Sequence, residues 1–247
     1  MERGGLPSQR MLTNLNDEGI LSHHCSLGHK QLVVSNVLRF ELLFDFGILA
    51  LQDGYYRESI TSFYASFERA CEFFAKDELV RAGSAMELET AWKLISKQSE
   101  RQLGAFAMLY LLRTKRAWVP IPDAQVKLRN DCVHHGYMPT EAESTSFGVC
   151  VLDALSRILE ALRKVDLERK QLGKFDIAAV RSPELANRWK RAEERAKREG
   201  ASLVRMSYST SVNVVQQLLE TGNFSAADAF ETLHRQNLHD VTYSRNS

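Results

Sequence analysis

Ile60-Thr-Ser-Phe63-Tyr64-Ala-Ser-Phe67-Glu68-Arg69-Ala70-Cys71-Glu-Phe73-Phe74 decides the fold class. Ile60, Phe63, Tyr64, Phe67, Ala70, Cys71 and Phe74 recur at i, i+3, i+4 and i+7 over four turns, the spacing of a helix with one buried face. Glu68 falls just past the edge of that stripe, at the rim between core and water. Before it, Val37 to Leu51 is too densely apolar for one face and predicts a helix buried on most sides, ended by Asp53-Gly54. After it, Leu88, Trp92, Ile95, Leu103, Phe106 and Tyr110 keep the helical period, predicting one long third helix to about Arg113. Pro120 and Pro122 then impose an extended connection. Asp123 suits the N-cap of a short helix ending near His134, where Gly136 can take the left-handed conformation. Thr140-Glu-Ala-Glu143 is a capping box opening a long helix with Phe147, Val151, Leu155, Ile158, Leu159 and Leu162 on one face. No alternating apolar and polar run is long enough to demand a sheet, so the expected class is all-α.

Around this bundle, residues 1–34 are poor in periodic apolar positions and read as a partly ordered N-terminal arm, with the helical domain over 35–172. Residues 173–247 read as a helical C-terminal extension. Within it, Ser182-Pro183-Glu184 opens a helix with a cap acceptor, a proline that needs no donor and an acid near the positive dipole end. That helix has a thin stripe of Leu185, Trp189, Ala192 and Ala196. A last pair, Val212 to Thr221 closed by Gly222 and Ala226 to Arg235 capped by Ser225, reads as a packing hairpin in preference to a DNA-binding helix-turn-helix.

Composition removes several function classes. Of 247 residues, 44% are hydrophobic and 26% charged, and 32 Lys plus Arg balance 31 Asp plus Glu. A net charge of +1 steers the chain to no polyanion, so phosphate binding must be local. The densest apolar stretch, 37–51, contains Arg39, Glu41 and Asp45, and a bilayer span needs about 20 apolar residues. No membrane association, secretory leader or myristoylation signal is expected, and the chain reads as cytoplasmic. Cys25, Cys71, Cys132 and Cys150 form no CxxC pair and are expected as free, buried thiols. His23-His24-Cys25 with His29 lacks a second ligand pair, so no metal site is assigned there.

GxGxxG, GxxxxGK[ST], GxSxG and HExxH are absent, which disfavours nucleotide and hydrolase folds. The chemistry is concentrated instead in Leu128-Arg129-Asn130-Asp131-Cys132-Val133-His134-His135-Gly136-Tyr137, between two core helices. In its bland reading, Arg129 and Asp131 are a solvated helix surface. His134 and His135 are then a polar helix end near the negative dipole pole, where histidine is at home.

The segment resembles the HEPN superfamily, marked by an Arg, four to six intervening residues and a His, often with a polar residue after the Arg. Arg129 to His134 has four intervening residues and Arg129 to His135 has five. The motif ends a short helix, a turn with Gly136 and Pro139 follows, and a long amphipathic helix comes next. The earlier helix with Glu68 at its rim is similar to the family's first core helix. The resemblance covers roughly 37–170 and implies a HEPN-like helical bundle. It further implies a metal-independent endoribonuclease of toxin or defence type that uses no cofactor, with its site formed where two protomers of a homodimer meet. Arg129 would hold the phosphate, and His134, or His135 at the longer spacing, would transfer protons. Asn130 would orient one of them, and Glu68 joins the candidate site. The residue types suit cleavage by the 2′-hydroxyl, because an imidazole titrates near neutrality and a guanidinium grips phosphate bidentately.

On a regular helix Arg129 and His134 lie about 140° apart, so either the helix ends before His134 or two motifs combine across a twofold axis. Some family members pair with a nucleotidyltransferase that modifies a tyrosine two residues after the histidine. Tyr137 lies two after His135 but three after His134, which keeps open which histidine is catalytic and whether Tyr137 is modified or packs over the turn. An antitoxin and such a nucleotidyltransferase are the partners implied besides RNA. A catalytically silent helical module binding a protein or a nucleotide is the alternative on the same scaffold. Residues 157–198 hold 13 Lys or Arg against 7 Asp or Glu, either a surface for an RNA backbone or a solvated face with pairs such as Glu193 with Lys197 and Glu194 with Arg198.

Overall fold

The computed structural model describes residues 16–24, 28–84, 86–171, 183–206, 210–212 and 224–235. The described chain is mostly helical with one three-stranded sheet, and its contacts divide it into two units.

The larger unit spans 37–180 and 208–242. It is built on α1 (Arg39–Gln52) and α2 (Tyr56–Arg81), joined where Gly54 takes φ +79°. α2 is its centre, packing on α1, α4 (Ser99–Thr114), α5 (Asp123–His134) and α6 (Glu141–Gln171). The stripe read from the sequence is the buried face: Ile60, Phe63, Phe67, Ala70, Cys71 and Phe74 are all at most 3% exposed. Burying each large apolar side chain stabilises by about 1.5–3 kcal/mol. Phe63 meets Phe44 at 5.0 Å and, at 5.7 Å, Phe230 of α8 (Ala226–Arg235). α8 begins with the Asp228 N–H donating to Ser225 Oγ at 3.4 Å, as expected of that cap. Val212 is buried, but most of the helix expected over 212–221 lies outside the described residues.

Two local expectations differ. The third helix is two: α3 (Leu88–Lys93), carrying buried Trp92, and α4, separated by Gln98 in an extended conformation. The buried Gln102 amide donates to the Ser96 carbonyl at 2.9 Å, satisfying a carbonyl freed at the corner. At α5 the N-cap position belongs to Pro122, and Asp123 is the acid of the first turn.

The smaller unit contains 1–36 and 181–207. β1 (Ile20–His24) pairs antiparallel with β2 (Lys30–Ser35), Ile20 opposite Val34, and β2 pairs parallel with β3 (Ser202–Met206), Gln31 opposite Ser202. α7 (Pro183–Glu199) covers the sheet, with Ala192 and Ala196 packed on Ile20, Leu32 and Val34, and half-buried Trp189 beside them. Buried Arg188 donates from Nη1 to the Ser35 carbonyl at 2.8 Å, and a side chain on Gly19 (φ +63°) would collide with its guanidinium. Lys30, at 2.7 Å, and Arg195, at 2.8 Å, hold the Glu199 carboxyl down at about 2. Glu193 accepts from the Trp189 indole at 2.8 Å, and the i, i+4 ion pair at this end of α7 is Arg195 with Glu199.

The sheet departs from the all-α expectation. Residues 20–24 and 30–35, most of them within the segment read as an arm, are strands, and the segment read as a helical extension contributes β3. β2 escapes a search for alternation because Leu32, Val33, Val34 and Ser35 are all buried. A strand covered on both faces is a short apolar run with no period of two.

Candidate functional site

α5 lies against α2, and both of its ends are tied down. At its C-terminus the Arg57 Nε donates to the Cys132 carbonyl at 2.9 Å. Gly136 takes φ +69°, so that the Tyr137 N–H returns to the Asp131 carbonyl at 3.1 Å, the glycine-dependent helix end that the sequence indicates. The capping box forms: the Thr140 N–H donates to Glu143 Oε2 at 2.8 Å and the Glu143 N–H to Thr140 Oγ1 at 3.2 Å. Ser144 Oγ donates to the Tyr56 carbonyl at 3.3 Å, which ties the start of α6 to that of α2.

Three of the nominated residues meet. Arg129, Asn130 and Glu68 line one cavity of about 350 Å³ between α2, α4, α5 and the proline-bearing connection. The Arg129 guanidinium lies 4.4 Å from the Tyr64 ring centre and donates to Asn130 Oδ1 at 2.9 Å, so Asn130 does orient the arginine. Burial raises the Tyr64 hydroxyl above its usual range, with Glu68 adding to the rise. Glu68 Oε1 is buried with no hydrogen-bond partner. Glu100, Asp123 and Trp118 share the wall. Trp118 stacks on Phe67 at 6.1 Å, with the Arg157 guanidinium 4.7 Å from its ring, and its Nε1 is also buried without a partner.

The other three stand apart from the cavity. His134, His135 and Tyr137 are exposed at the end of α5 and in the turn after it. His135 Nδ1 lies 3.1 Å from Asp131 Oδ1. Asp131 also holds Lys127, which does most to lower its carboxyl, with His135 second. The Tyr137 hydroxyl donates to Glu143 Oε1 at 3.0 Å, which raises its titration above the usual range, while Thr140 is the larger influence lowering Glu143. Tyr137 therefore packs over the turn, fastened to the capping box. Within one protomer the arginine and the imidazoles do not face one space, as the angular separation on α5 requires.

Trp118, Glu100 and Asp123 escaped the reading of the sequence as site residues, since they lie on three segments with no common spacing. The signal available was Trp118 itself, a large aromatic between a helix end and two prolines. Cys71 and Cys132 are buried free thiols and Cys150 is a half-buried one, and Cys25 lies outside the described residues. No helix among the described residues is long and apolar enough to cross a membrane. In comparison with known proteins the chain matches no family model, no curated protein and no solved structure.

Proposed function

We propose that the chain is a HEPN-type, metal-independent endoribonuclease of toxin or defence character, acting in the cytoplasm as a homodimer. The observation that carries this reading is the convergence of Arg129, Asn130 and Glu68 on one cavity, with His134 exposed on the same helix about 7.5 Å further along its axis. Arg129, already oriented by Asn130, holds the scissile phosphate and the charge that develops on it. An imidazole at the end of α5, supplied by the other protomer, moves the proton to or from the 2′-hydroxyl and the leaving oxygen. That division between two copies answers the separation of the groups within one. An antitoxin, or a nucleotidyltransferase directed at Tyr137, is the regulating partner this reading expects.

The test is cleavage of a generic RNA in EDTA. Expected are 2′,3′-cyclic phosphate and 5′-hydroxyl ends, with DNA left intact. His134→Ala should lower the rate by about 10²- to 10⁴-fold with the helices preserved. Arg129→Lys should be severely impaired, because an ammonium does not reproduce a planar two-donor grip. If His135→Ala is the dead variant instead, the longer spacing is the catalytic one. Activity surviving both histidine changes, or requiring added metal, overturns the reading. The second reading, a silent helical module that binds a small ligand or a protein, is favoured by one observation: the imidazoles lie outside the cavity. Harmless expression together with a stable co-purifying partner would support it over the enzyme.

A further inference from the structure

We propose that the cavity beside Arg129 is a base-binding site selective for guanine, read by Glu68 and Trp118. This deepens the ribonuclease reading, on which Arg129 takes the adjoining phosphate, but base binding itself requires no cleavage. At about 350 Å³ the cavity is in the range of small-ligand sites. Two atoms of its lining side chains are buried and unpartnered, the acceptor Glu68 Oε1 and the donor Trp118 Nε1. Buried polar groups are normally bonded, and an orphan of each kind on one cavity is a pattern that a ligand completes.

The chemistry of the two atoms selects the base. A carboxylate accepts and does not donate, so the ligand must present donors to Glu68. Guanine offers two side by side, N1–H and the 2-amino group, matching the two oxygens of one carboxylate. Adenine and cytosine each place an acceptor beside their amino group, and uracil flanks its one N–H with two acceptors. Each would set a lone pair against the carboxylate. On guanine, O6 and N7 remain to accept from Trp118 Nε1. The Arg129 guanidinium, laid on Tyr64, extends the stack under a planar base. Glu100 and Asp123 on the same wall favour the donor edge of a base over a phosphate inside the cavity. Arg69, also on the wall, is occupied by Glu72.

Calorimetric titration of the full chain in EDTA with GMP, IMP, AMP and CMP tests this. GMP should bind, and IMP, which lacks only the 2-amino group, about tenfold more weakly. AMP and CMP should bind no better than IMP. Glu68→Gln should weaken GMP about tenfold and narrow its advantage over IMP, with circular dichroism unchanged. Trp118→Phe, a second variant that keeps the ring, should weaken GMP without altering the order of the four. Equal affinity for all four nucleotides, no binding of GMP at millimolar concentration, or unchanged GMP affinity in Glu68→Gln overturns the proposal. GMP binding without RNA cleavage keeps the guanine site and retires the ribonuclease. RNA cleavage without preferential GMP binding does the reverse.

Discussion

Asp45 carries the clearest coupling between one titratable group and the stability of the fold. It is 8% exposed on α1, and its Oδ1 accepts the Ser211 N–H at 3.0 Å, joining the first helix to a segment 166 positions away in sequence. Burial is the dominant influence and raises its carboxyl from 3.8 to about 6, although the Ser211 hydrogen bond opposes the rise. The folded state therefore holds this proton more tightly than the unfolded chain does. The resulting stabilisation is complete below about pH 4 and is lost as pH rises through 6. At about 1.4 kcal/mol per pH unit the two-unit difference amounts to about 3 kcal/mol. Asp45→Asn keeps the acceptor for Ser211 and removes the buried charge. It should stabilise the chain by about 1–3 kcal/mol at pH 8 and by little at pH 4. Urea denaturation at the two pH values measures this, and a larger gain at the acid value would contradict the sign.

Glycines on two helices illustrate how the same substitution takes opposite signs. Gly148 on α6 lies so close to its neighbours that a Cβ would stand 2.3 Å from the Phe230 ring and 2.9 Å from Phe63. Gly104 on α4 meets nothing within 4 Å. Gly148→Ala should cost about 1–3 kcal/mol by overpacking, more than the roughly 1 kcal/mol that alanine gains in helix propensity. Gly104→Ala should instead stabilise by about 0.5–1 kcal/mol. Thermal melts of the two variants check both signs. A sequence cannot separate these positions, because each is a glycine within a helical period, and only the packing of α8 on α6 and α2 makes one of them indispensable. The stripe on α2, the glycine end of α5 and the Thr140 capping box were legible because each depends on residues within one or two turns of one another. The break between α3 and α4 was not. Apolar residues on both sides keep one period, and the feature that marks the corner is a single amide, Gln102, turned back onto Ser96.

For the molecule as a whole, legibility falls with separation along the chain. β2 and β3 pair in parallel register across some 170 positions, from Gln31 to Ser202, and no local pattern announces such a partner. The same is true of the cavity, whose wall draws Glu68 from α2, Trp118 from the proline-bearing connection and Arg129 from α5. The motif segment supplied Arg129 and Asn130, while the distance between cavity and imidazoles follows from helix geometry and has a consequence for assembly. If the proposed ribonuclease combines Arg129 of one protomer with His134 of its partner, each symmetric dimer holds two such sites. Arg129→Ala and His134→Ala homodimers would then each be dead, since every site lacks one member. Mixed dimers differ: one site lacks both groups and the other is intact. After unfolding and refolding of an equimolar mixture, half the dimers are mixed and half of their sites work, so about a quarter of the wild-type rate should return. Sedimentation should find the dimer in all three samples. Recovery in the mixture alone establishes a site shared in trans. No recovery, with mixed dimers present, means that each site needs both arginines and both histidines, or that catalysis does not combine these residues across the twofold axis.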